Sequence, residues 1–145
     1  MSSLAPGDER HDECDELDFG VELEFESGRV VGVSWNADFW AYGIGIYEGG
    51  LQSTVQDATV FDASARAPWC NVRSAILQTA KVVWDAEGYE GSSPIEFPYR
   101  LELTFSHGPT VALAAAYYNA TTRDVTPGGD SILVMTLRPS RGNDV

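Results

Sequence analysis

Basic and metal-binding side chains are scarce in this chain of 145 residues: it holds one lysine, eight arginines, two histidines and two cysteines. Nine basic residues face 22 acidic ones, and the net charge of −13 repels phosphate backbones and anionic lipid. Ordinary binding to nucleic acid or to a membrane surface is therefore not expected. The histidines, His11 and His107, and the cysteines, Cys14 and Cys70, fit no zinc or redox spacing, and no C-x-x-C occurs. Neither a metal nor another cofactor is expected. Long apolar runs are also missing: none approaches the roughly 18 to 20 residues that span a bilayer, and Met1 to Arg10 lack the basic and apolar regions of a secretory signal. A cytoplasmic location with two free thiols is the expectation. The triplet Asn119-Ala120-Thr121 fits a glycosylation acceptor, but nothing else points to export.

Motifs for common chemistries are absent as well. There is no G-x-S-x-G, no G-x-x-x-x-G-K-[ST], and no G-x-G-x-x-G opening a helix, so serine-hydrolase, P-loop and dinucleotide functions fail at their first requirement. Nucleophilic catalysis would have to rest on Cys70, with His107 as base and Asn71 or Asp85 as the orienting group. A small thiol beside Trp69 is more often core filling, and a histidine before Gly108 more often a turn residue.

What the chain does contain is an acidic leader and a strong alternating pattern. Residues 1 to 26 hold ten carboxylates and one arginine, nine of the thirteen net negative charges. Residues 1 to 16, rich in Ser, Pro, Gly and acids, predict a disordered tail, because such a composition cannot offset its ordering entropy. From Leu17 the pattern changes: Leu17, Phe19, Val21, Leu23 and Phe25 alternate with Asp18, Gly20, Glu22, Glu24 and Glu26, the period of a half-buried strand. Ser27-Gly28 supplies a turn, and Val31, Val33 and Trp35 resume the alternation to complete an antiparallel hairpin.

A second hairpin is written in Leu101, Leu103 and Phe105, the His107-Gly108 turn and the return from Thr110 to Tyr118. At an offset of 80 residues the two hairpins share Glu22/Glu102, Leu23/Leu103, Phe25/Phe105, Gly28/Gly108 and Val31/Val111. Either a duplicated unit or the shared demands of alternation and a glycine turn accounts for this. Between the hairpins, Ala41 to Tyr47 and the stretch to Asp62 predict two more strands, with Gly43 and Gly45 leaving room for an aromatic ring from a neighbouring strand to lie flat. Trp69, Val72, Ile76 and Ala80 recur at helical steps after Pro68, predicting a short helix over Pro68 to Thr79. Lys81 to Trp84 reads as a strand and Gly88 to Pro98 as a loop. Thr126 to Asp130 reads as a turn before a last strand at Ile132 to Met135. The sum is a mainly β domain over residues 17 to 138, an antiparallel sandwich or curled open barrel of about eight strands with one short helix, and a frayed end at 139 to 145.

Aromatics concentrate at Trp35, Phe39, Trp40, Tyr42 and Tyr47, too closely for alternation to bury them all. Either they plug an end of the domain or they form a surface with the Trp and Tyr anchors of a protein interface. Trp35, Asp38, Trp40 and Tyr42 are the candidate partner-binding residues, and a basic protein is the partner that the charge favours. In size, charge and lack of a catalytic constellation, the chain resembles the small acidic immunity proteins with which bacteria block basic toxins. That likeness is one of class, carried by no motif, and it implies a non-enzymatic inhibitor. The alternative is a small-ligand binder or hydrolytic enzyme with a cleft near Cys70 and His107.

Overall fold

A computed structural model describes residues 14–36, 43–51, 61–87, 91, 93–119 and 121–137. Within these residues eight antiparallel strands form two sheets: β1 (Cys14–Leu17), β2 (Gly20–Glu24), β3 (Val30–Asn36), β4 (Gly43–Glu48), β5 (Leu77–Glu87), β6 (Ile95–Phe105), β7 (Thr110–Tyr118) and β8 (Val125–Leu137). The larger sheet runs β1-β8-β7-β6-β5 and the smaller β2-β3-β4. Two separate sheets sharing one core make a sandwich, so of the two expected architectures the curled barrel is set aside.

The core follows from the alternation. Val21, Val33 and Ile44 of the small sheet meet Leu101, Leu103, Val111, Leu113, Ile132 and Val134 of the large one in a single buried cluster. Strand β7 is buried on both faces: Val111 to Ala116 are all fully covered. Its alanines make this possible, because Ala114 and Ala116 join Cys14 and Leu133 in a second cluster on the far side of the sheet. Tyr99, Tyr118, Val125 and Met135 pack around that cluster. Both expected hairpins form, with Leu23 opposite Val31 and Leu103 opposite Val111. Gly28 and Gly108 take equivalent places at φ +88° and +85°.

Four expectations are corrected. First, the chain joins the sheet before Leu17. Cys14 to Leu17 pair with Ile132 to Met135, and Cys14 and Asp15 are buried, so the last three residues assigned to the tail belong to the domain. The apparent single strand from Leu17 is really two, broken by a bend at Asp18-Phe19 where the chain crosses from one sheet to the other. Second, the short helix is only a 3-10 turn, Trp69–Asn71. Trp69 and Val72 pack inward, but Ile76 is 72% exposed and Ala80 is exposed, so the helical spacing never becomes a buried face. Residues 77 to 80 instead pair with Leu103 to Phe105, where a sheet neighbour satisfies their backbone. Third, Ile95 to Pro98, read as loop, begins β6. Fourth, the Pro127-Gly128-Gly129-Asp130 signal lies inside β8. Ala115 faces Ile132 and Ala116 faces Pro127, so the strand bulges out over the intervening residues and then resumes. The second strand expected before Asp62 falls mainly on residues outside those described.

A segment from Phe61 to Ile76 links the sheets, and a buried ion pair pins it. Arg66 Nη2 donates to Asp15 Oδ1 of β1 at 2.5 Å, the two residues being 6% and 2% exposed, and the guanidinium carbon stands 4.9 Å from the centre of the Phe61 ring.

Candidate functional site

Three places carry the chemistry that the sequence suggested. At the first, Trp35 on β3 is half-buried against the core, opposite Ile44, and its Nε1 donates to the Asp18 carbonyl at 2.8 Å. The ring thus ties the crossing between the sheets, and one of the expected contacts has a structural role in the folded domain. Asp38, Trp40 and Tyr42 lie outside the described residues. The aromatic that stands against Gly45 comes from the same strand and not from a neighbouring one as expected: a Cβ at Gly45 would stand 2.6 Å from the Tyr47 hydroxyl.

The second place is the end of the sandwich where the 69–76 segment meets the β6–β7 turn. Ile76 N–H donates to Ser106 Oγ at 2.9 Å, and Ser106 N–H donates to the Ile76 carbonyl at 2.8 Å. Gly108 presses so closely on the Asn71 carbonyl that a Cβ there would be 2.6 Å from its oxygen. Cys70 and His107 are therefore brought to one end of the molecule, and both are exposed. Among the described residues no hydrogen bond joins them, and none orients the imidazole. Asp85, a proposed third member, pairs with Phe97, whereas Leu77 pairs with Phe105 at the turn. Eight residues of extended strand separate them, about 26 Å, so Asp85 cannot serve that imidazole.

Cys14 is the other thiol. It is buried at 5% exposure, and burial first, then the nearby Glu16 and Asp15 carboxylates, push it up to about 12. Such a thiol stays protonated at neutral pH and is a poor nucleophile. Among the described residues no three His, Cys, Asp or Glu side chains converge as a metal ion would need.

The third place is edge strand β2. Asp18, Glu22, Glu24 and Glu26 are all exposed along it and its flanks, and Phe19 is 47% exposed beside them. Glu22 also holds the fold together, its Oε1 accepting the Leu51 N–H at 2.7 Å. The neighbouring cation Arg29 is engaged, donating to Glu48 at 2.9 Å. What remains is an acidic edge with one aromatic ring. The alternation alone could not reveal Phe19, because it placed that residue inward in step with Leu17 and Val21; the bend between the sheets turns it out. Comparison of the chain with protein families, with curated proteins and with solved structures finds no match.

Proposed function

We propose that this protein is a non-enzymatic, cytoplasmic binding module of inhibitor or immunity type that engages a basic protein through its acidic leader and the β2 edge. The observation that carries this is the row Asp18, Glu24 and Glu26, exposed beside Phe19 and continuous in sequence with the leader. Clustered carboxylates speed the encounter with a cationic surface, and the aromatic ring supplies short-range hold. The contacts read from the sequence, Trp35, Asp38, Trp40 and Tyr42, remain candidate partner-binding residues in this proposal. Two free cysteines suit a reducing compartment.

Capture from the native cell tests the proposal. Tagged wild-type protein should retain a basic protein that salt elutes. A variant with Asp18→Asn, Glu24→Gln and Glu26→Gln should lose it, with Glu22 left in place because it holds Leu51. Retention that ignores both salt and the substitutions, or capture restricted to acidic proteins, would contradict the proposal. An end-on hydrolytic site at Cys70 and His107 is the alternative, favoured only by their placement at one end, and it requires Cys70→Ser to abolish an activity in a folded protein.

A further inference from the structure

Among the described residues, the large sheet ends on an edge that carries little protection. Edge strands in soluble proteins are usually short, bulged, proline-bearing or rich in charge, since an open edge invites another strand. At the other edge β1 has 4 residues, but β5 has 11 and contains no proline. Its one irregularity lies between Leu77 and Thr79, and from Thr79 onward the strand itself is regular, since the later register shift places its extra residue, Tyr99, on β6. Ala80, Lys81, Trp84, Asp85 and Ala86 are exposed, Trp84 at 56%.

The sequence of this edge is complementary to its own reverse. Around Val83 it reads Ala80-Lys81-Val82-Val83-Trp84-Asp85-Ala86, so that alanine mirrors alanine, lysine mirrors aspartate, and valine mirrors tryptophan. We infer that β5 pairs with β5 of a second copy of this chain, antiparallel about Val83, joining the two five-stranded sheets into one.

In that register Lys81 of each copy stands opposite Asp85 of the other, twice over, on the sheet face of Val83. Val82 and Trp84 stand opposite each other on the face toward the core, and only alanines meet at the next pair. Opposite charges directly across strands stabilise the pairing, and an aromatic against a β-branched residue does the same. Lys81 is the chain's sole lysine, and within its own sheet it faces Glu102 on β6, so the second copy's aspartate completes a carboxylate on each side of it. The interface is isologous and closes at two copies, because pairing uses the outer edge of β5 in each. Strand β2 belongs to the other sheet, so its acidic edge is not consumed.

Sedimentation velocity at physiological salt, where the repulsion between two copies at −13 is largely screened, tests the register directly. Wild type should dimerise. Lys81→Asp alone sets like charges across both pairs, as does Asp85→Lys alone, and each should weaken self-association about tenfold or more. Mixed in equal amounts, these two variants should form a heterodimer, since every facing pair is then opposite in sign. Lys81→Asp with Asp85→Lys in one chain should restore the homodimer. Both positions are exposed, and unchanged far-UV spectra and thermal midpoints verify that each variant is folded. A wild type that stays monomeric up to about 1 mM overturns the inference. A dimer indifferent to the single reversals, or single variants that fail to pair on mixing, overturns it equally.

Discussion

Two buried groups show how individual residues are fixed by their surroundings. Cys14 has its thiol raised to about 12 against an unfolded value near 9, so the folded state holds a proton that the unfolded chain releases first. The stability this thiol contributes is complete below about pH 9 and is lost as pH rises toward 12. Thermal melts from about pH 8 to 10.5 should fall more steeply for wild type than for Cys14→Ala, and a thiol reagent should label Cys70 in the native protein long before Cys14. Equal labelling rates would mean that Cys14 is not sequestered. The Arg66–Asp15 pair is the second case. Both partners are almost fully buried, and among the described residues Arg66 Nε and Nη1 have no hydrogen-bond partner, so the pair is imperfectly satisfied. Removing the cation leaves a carboxylate in an apolar setting, and Arg66→Met should cost about 3 to 5 kcal/mol in urea unfolding. Replacing both partners by apolar residues should recover much of that loss, because the desolvation penalty disappears with the charges.

At the scale of elements, the two glycine turns give a controlled comparison. Gly28 and Gly108 share a positive φ, but a Cβ at Gly28 meets nothing within 4 Å, whereas at Gly108 it meets the Asn71 carbonyl. Gly28→Ala should cost about 1 kcal/mol from backbone strain alone, and Gly108→Ala clearly more, since the 69–76 segment must also shift. Equal costs would show that this segment is not docked on the turn. The same elements explain what was legible in the sequence. Both hairpins could be read because β2 and the paired part of β6 bury one face, so Leu23 and Leu103 had to alternate with polar residues. Strand β7 broke that rule through alanine, a residue small enough to be covered on both sides. The false helix at Pro68 to Thr79 arose from spacing that local sequence satisfies but sheet pairing overrides. Pro127, Gly128 and Gly129 mark a change of backbone direction, and a bulge uses such residues as readily as a turn. Cys14 was invisible as a core residue because it stands between Glu13 and Asp15, in the acidic run that a solvated tail would also have. Asp15 can be buried because Arg66, 51 residues away, meets it, and no local pattern announces such a partner.

For the whole molecule, the division of labour between the two sheets organises the functional proposal. The small sheet presents the acidic β2 edge, and the large sheet ends on β5, whose pattern is complementary to itself. A basic partner and a second copy would then occupy different sheets, and their electrostatics differ in character: a basic partner is drawn in by long-range charge, while two acidic copies are held only by local pairs. The candidate site was partly legible, since the carboxylates from Asp18 to Glu26 could be read directly. Phe19 could not, because its exposure depends on a crossing between sheets. The most direct test of the central claim is the association rate constant between this protein and the basic partner it captures, measured at about 50 and 500 mM salt for wild type and for the Asp18→Asn, Glu24→Gln, Glu26→Gln variant. The acidic edge predicts a wild-type rate that falls about tenfold or more with salt and a variant that is slower at low salt and less salt-sensitive. Rates that coincide for the two proteins at both salt concentrations would contradict it.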